Sequence, residues 1–325
     1  MNSRDREGKT ALMWSIETGN KSIAKFLLKQ PGIDVNIIDA HGDSALYLAF
    51  MNQEDEVLKL ILKTKNVDVN CKSPDDMAVF HLAVEHAILD GYVQIVQMFL
   101  AHKDLDVNLV DIPTRATPLT VAITNEHVEV VKLILAHPQV DVNRRNGYGN
   151  IALMIALMAT ENLQKVSNDR LLKEAEDEGV DGAPVLVMSQ ATKSNLQIVK
   201  MLLAHKDVDL NLGYENLGVT PLSVASFKGH IELVKLMLAH PKLDVNHHGQ
   251  GRAALREALA GLHEQVVDLL LADERLDATS VDEDGLDILD HAINQESAEM
   301  MVLITNHPHF FSSIINNPNK QHRLR

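Results

Sequence analysis

IVQMFLAHKDLDVN, residues 95–108, returns three more times with few changes: VVKLILAHPQVDVN at 130–143, IVKMLLAHKDVDLN at 198–211 and LVKLMLAHPKLDVN at 233–246. Weaker copies end in DVN at Asn36 and Asn70, and in LDAT around Asp277. Within a copy the apolar residues recur at i, i+3 and i+4, as in Val131, Ile134 and Leu135, the pattern of one helix face. The DVN segment alternates instead, which suits an extended arm. A helix and an arm repeated in phase form a unit that cannot bury its apolar face alone and must stack on its neighbours.

A second element precedes each copy: Gly-x-Thr-x-Leu-x-x-Ala, or a worn form of it. It reads GKTALMWS to Ser15, GDSALYLA to Ala49, DMAVFHLA to Ala83, RATPLTVA to Ala122, GNIALMIA to Ala156, GVTPLSVA to Ala225, GRAALREA to Ala258 and GLDILDHA to Ala292. The steps between these final residues are 34, 34, 39, 34, 69, 33 and 34. The step of 69 is two periods, so a further unit is expected near Gln190, worn down to Val185, Leu186 and Val187 with a second half at Asn195–Leu203. The step of 39 predicts an extra helical turn between Ala83 and Gly91, plus one residue in the next loop.

Gly218 to Ala225, Gly229-His230, the Val-Lys-Leu-Met-Leu run at 234–238 and Asp244-Val245-Asn246 together resemble the ankyrin-repeat family, and the resemblance covers roughly residues 5–310. It implies an all-α, ankyrin-repeat solenoid of about nine helix-turn-helix units joined by extended hairpin loops. On this reading residues 1–310 form a single array, with a degenerate unit carrying an acidic loop at about 160–184, and residues 311–325 form a C-terminal cap and a short basic tail. The motif Thr caps the first helix and the following Pro suits its first turn, a pair kept at Thr117-Pro118 and Thr220-Pro221. Gly19, Gly91 and Gly229 are expected to supply the left-handed turn between helices. Asn2 precedes Asp5 as Asn36 precedes Asp39, so residue 1 falls inside a hairpin.

Composition narrows the function classes. Aromatic residues make up 4% of the chain, which suits a thin core between paired helices. A net charge of −15 argues against a nucleic-acid backbone or an anionic membrane surface as partner. Cys71 is the one cysteine, it reads as an ordinary exposed thiol, and a reducing compartment follows. No apolar stretch approaches the ~20 residues of a membrane span. A cytoplasmic, monomeric protein without membrane insertion is expected. His102, His137, His205 and His240 share one repeat position near a helix C-terminus, where the helix dipole favours them. Copies of that position lie ~10 Å apart, too far to share a metal with bonds of ~2 Å. His81, the motif histidine, reads as a helix-cap hydrogen-bonder. No phosphate loop, nucleophile set or calcium loop is present. No enzyme activity, cofactor or metal is expected.

The resemblance then places partner binding. In similar proteins hairpin tips and the exposed side of each first helix line a concave groove. Residue by residue this gives Glu7, His41, Asp43, Asp75 and Tyr148 at tips, and Met51, His86, Met158, Phe227 and Lys228 on helix faces. Exposed aromatic and Met side chains are the sharpest candidates, because interfaces favour them. The resemblance also implies hydroxylation of the loop asparagines Asn70, Asn108, Asn143 and Asn246. The expected role is a protein–protein interaction scaffold or adaptor. The alternative is the recognition arm of a larger protein, such as a ubiquitin-ligase subunit or a secreted microbial effector acting in the host cytosol.

Overall fold

The computed structural model describes residues 1–87, 90–160, 190–213, 219–247, 253–277, 280–281 and 285–307. Among these are sixteen α-helices and no strand. Extended residues pair only as isolated bridges at the hairpin bases, Arg4–Thr10, Ile38–Ser44 and Lys72–Ala78. The chain falls into two compact units, Met1–Tyr148 and Gly149–Arg325.

The first unit holds α1 (Ala11–Glu17), α2 (Lys21–Leu28), α3 (Ala45–Met51), α4 (Asp55–Leu62), α5 (Val79–Glu85), α6 (Asp90–Leu100), α7 (Pro118–Thr124) and α8 (Val128–Leu135). Odd-numbered helices stack on odd-numbered ones and even on even, which makes two parallel rows. The motif alanines Ala49, Ala83 and Ala122 are fully buried between first helices, where a larger side chain would force neighbours apart. Val35, Val69, Val107 and Val142 of the hairpin arms are buried as their alternation predicts.

The second unit holds α9 (Ala152–Ala159), α10 (Gln190–Leu203), α11 (Pro221–Phe227), α12 (Ile231–Leu238), α13 (Ala254–Ala260), α14 (Glu264–Leu271), α15 (Ile288–Asn294) and α16 (Ala298–Asn306). Here the pairing of the described helices differs from the expected unit boundary between α9 and α10. α9 packs against α10 as the two helices of one unit, and α11 stacks directly on α9. Lys228 Nζ, just past α11, donates to the carbonyls of Leu157 (3.0 Å), Met158 (2.8 Å) and Thr160 at the end of α9. The described helices therefore pair into eight units, and the two helices that flank residues 161–189 form one of them. Val185–Val187 and the acidic residues Glu174–Asp181 lie outside the described residues, as do the C-terminal cap and basic tail.

Caps follow the sequence closely. Thr10, Ser44, Thr117, Thr220 and Asp287 each accept a backbone N–H of the first turn of their helix. Pro118 and Pro221 open their helices. Ala78 cannot cap α5, and its N–H donates instead to Asp111 Oδ1 of the next hairpin (2.8 Å).

Two turn expectations change. Gly19 and Gly229 do take φ of +67° and +70° before the second helix. The same position is left-handed in Gln53, Glu126, Leu262 and Glu296, so glycine is not required there. Gly91 lies inside α6 instead. α5 has the same seven residues as its neighbours, while α6 has 11 against eight in α4 and α8. The extra residues thus lengthen the start of the second helix, not the end of the first.

Candidate partner-binding surface

In the first unit the described hairpin tips are each curled by one side chain. Asp5 Oδ1 accepts from the N–H of Glu7 and of Lys9, both at 2.9 Å. Asp39 Oδ1 does the same for His41 (2.8 Å) and Asp43 (2.9 Å). Ser73 Oγ accepts from Met77 N–H (3.1 Å), and Asn146 Oδ1 accepts from Tyr148 N–H (2.9 Å). The residue two past each curling side chain is pushed to the apex, which puts Glu7, His41, Asp75 and Tyr148 at equivalent exposed positions. Neighbouring tips are tied by backbone bonds, Ala40 N–H to Glu7 O (2.8 Å) and Gly147 N–H to Arg115 O (2.6 Å).

Behind the tips, the last turns of the first helices carry the remaining candidates. In the first unit Met51 is 54% exposed and Tyr148 is 65% exposed, with the Arg115 guanidinium 5.6 Å above the Tyr148 ring. His86 is exposed but leans on Phe50 and Tyr92, with ring centroids 5.7 and 6.3 Å away. Asp43 is half-buried, and burial with the nearby Asp39 carboxylate raises its pKa from the ordinary aspartate value. In the second unit Met158 is 52% and Phe227 46% exposed.

Lys228 departs from its expected role. Its ammonium is held by three carbonyls at the end of α9, where a cation meets the negative end of the helix dipole, and burial lowers its pKa. It joins two repeats through its ammonium. The tip residue missed in the sequence is Ile112, among the most exposed apolar side chains. The signal was Asp111, which aligns with Asp39 once the extra loop residue is placed.

The loop asparagines form a ladder. Asn36, Asn70, Asn108, Asn211 and Asn246 each donate through Nδ2 to a carbonyl of the following loop, at 2.6–3.0 Å. Each Oδ1 accepts the N–H of the next Asp in register, at 2.7–2.9 Å. Asn2 does the same toward Gly32 and Asp34, as its register predicted.

The histidines serve the fold. His102, His137, His205 and His240 accept through Nδ1 the N–H two residues on, at 3.3–3.4 Å, and so cap a turn. His81 is buried, its Nε2 lies 3.1 Å from Ala116 O of the next unit, and burial lowers its pKa. It bridges repeats and does not cap its own helix. Cys71 is not an open thiol: it is partly covered beside Ser44 Oγ (3.5 Å), and burial pushes its pKa up to about 11.

A model of ankyrin repeats in three copies matches residues 1–73, 80–168, 161–248 and 185–282. No curated protein matches the chain. Among solved structures it is similar to the ankyrin repeat protein EF0377, at 21% identity over 71% of this chain and 97% of that one, with a TM-score of 0.52. An ankyrin repeat domain (ABAYE2397) from Acinetobacter baumannii AYE gives 23% identity, 69% and 95% coverage and a TM-score of 0.49. The ankyrin repeat domain of Bcl-3, a member of the IkappaB protein family, gives 17% identity, 93% and 100% coverage and 0.48. With the family model matched over most of its length and the same helix pairs in its structure, the chain belongs to the ankyrin-repeat family.

Proposed function

We propose that this protein is an interaction scaffold that holds a partner protein on its hairpin tips and the adjoining ends of its first helices. Ankyrin repeats are generally protein–protein interaction modules, and the family is typically non-enzymatic. Among the described residues no helix is long and apolar enough to cross a membrane. The observation that carries the reading is the solvent exposure of Met51 and Tyr148 in the first unit and of Met158 and Phe227 in the second, at a hairpin tip and at the ends of first helices. Apolar side chains left in water at non-structural positions are the usual anchors of a recognition surface.

The test is capture by the full chain compared with a Tyr148→Ala, Phe227→Glu variant and with Leu236→Glu, an exposed second-helix position. A protein retained by the wild type and by Leu236→Glu but lost by the double variant supports the tip surface. Equal retention by all three overturns it. The asparagine ladder adds a modification to the proposal: hydroxylation at Asn70, Asn108, Asn143 and Asn246. The amides of Asn70, Asn108 and Asn246 are engaged on both sides, so a hydroxylase must first pull that loop open. Intact-mass spectra of the protein from its native host, without added oxygen at these residues, would remove this part.

A further inference from the structure

The hairpin tip at 39–43 differs from the others in one buried atom. The curling carboxylate has two oxygens, and one suffices for the turn. In Asp5 the second oxygen accepts the Trp14 indole N–H (2.7 Å). In Asp111 Oδ2 makes the turn, accepting Thr114 Oγ1–H (2.9 Å) and N–H (3.3 Å), and Oδ1 accepts the Ala78 N–H of the preceding repeat (2.8 Å). In Asp39 Oδ1 makes the turn and Oδ2 accepts nothing, although the residue is only 5% exposed. The residue that stands where Trp14 stands in the preceding repeat is Leu48, which has no donor. A buried carboxylate oxygen without a partner costs free energy unless a cation or donor meets it.

The surroundings supply ligands for a cation. His41 Nδ1 lies 3.7 Å from Asp39 Oδ2. One donor atom each from Asp39, His41 and Asp43 falls within 4.8 Å of the others, and this is the one such group among the described residues. Two ligands bound at ~2.0–2.2 Å to a tetrahedral ion are ~3.3–3.6 Å apart, so a modest rotation of the exposed His41 ring and the Asp43 carboxylate closes the set. The nearest built-in cation, Lys9, is already held by Glu17 (2.7 Å) and Glu7 (3.7 Å).

We propose that Asp39, His41 and Asp43 form a binding site for a divalent metal ion of the zinc class. One imidazole nitrogen and two carboxylate oxygens are a donor set that suits zinc and its first-row neighbours, whereas magnesium prefers six oxygens. Three protein ligands leave an open coordination position on the exposed side of the tip. The ion neutralises the Asp39–Asp43 pair and pins the turn from 39 to 43. The equivalent tip of the first repeat, Asp5, Glu7 and Lys9, carries its own cation in place of the third ligand.

The test is calorimetric titration of the chelator-treated full chain with Zn2+, and separately with Mg2+. His41→Gln and Asp43→Asn change side chains at the tip and outside the helix core, and circular dichroism verifies their fold. His102→Gln, at the exposed turn of another repeat, is the control for adventitious histidine binding. The expected result is a Zn2+ isotherm that weakens at least tenfold in each of the two tip variants and is kept by His102→Gln. No Zn2+ binding by the wild type, or an isotherm unchanged in the tip variants, overturns the site. Equally tight Mg2+ binding overturns the assignment of metal class.

Discussion

Asn108 joins two loops with two hydrogen bonds, to Gln139 O and from Asp141 N–H, and alanine removes both at once. Each neutral bond contributes about 0.5–1.5 kcal/mol net, so Asn108→Ala should cost about 1–3 kcal/mol in a urea titration. His230 sets a second expectation. Its Nε2 lies 2.8 Å from Thr160 Oγ1, and burial, with Lys228 and His263 adding repulsion, lowers its pKa to about 4. The unfolded chain takes up that proton near pH 6.5. Between the two values the unfolded state binds the extra proton, so stability is fully present above pH 6.5 and is lost as the pH falls toward 4. His81, also lowered by burial, acts in the same direction. Urea midpoints at pH 7 and pH 5 should differ by less in His230→Gln than in the wild type, by up to about 2 kcal/mol at ~1.36 kcal/mol per pH unit. An unchanged difference would remove His230 as the source.

Six of the described second helices are entered through a left-handed residue, and at Leu262 that residue is also 57% exposed. A non-glycine side chain in this conformation is strained by about 1–2 kcal/mol. Leu262→Gly should therefore raise thermal stability by about 0.5–1 kcal/mol, the relief being partly offset by the greater freedom of glycine in the unfolded chain. A lower melting temperature would show that Leu262 packs more than its exposure implies. Helix identity was legible in the sequence because the Leu-run and the Thr-x-Leu-x-x-Ala element each carry one helix face. Boundaries were legible where a capping side chain or proline marks them, as at Thr117-Pro118. They were not legible where the backbone alone decides. α6 grew at its start because Asp90-Gly91-Tyr92 could join the helix, and no residue type announces that. The metal-ligand set was missed for a related reason. Its ligands alternate within one hairpin, while the orphaned Asp39 oxygen follows from Leu48 replacing a tryptophan one repeat away.

At the scale of the molecule the pairing of α9 with α10 departs from the boundary that the repeat spacing placed between them. A spacing of 69 is within one residue of two periods of 34, and periodicity cannot tell a worn repeat from an insertion of the same length. Contacts can: α11 rests on α9, and Asn195 of α10 donates to Ala159 O of α9 at 3.4 Å, so α9 and α10 are one pair. In a repeat array stability is close to a sum of unit and neighbour terms, which makes the two readings separable by deletion. Residues 161–189 can be replaced by a three-residue turn of the kind that joins α7 to α8. If they held a unit, its removal would delete one interface and force two mismatched faces together, with a loss of several kcal/mol. If they are an insertion between paired helices, the cost of closing the connection falls instead. Shortening it about tenfold lowers the closure entropy by about (3/2)RT ln 10, roughly 2 kcal/mol. The pairing seen here therefore predicts a shortened chain that keeps its helical circular dichroism and melts in urea at the same or a higher midpoint. A lower midpoint with loss of helix signal would restore the ninth unit.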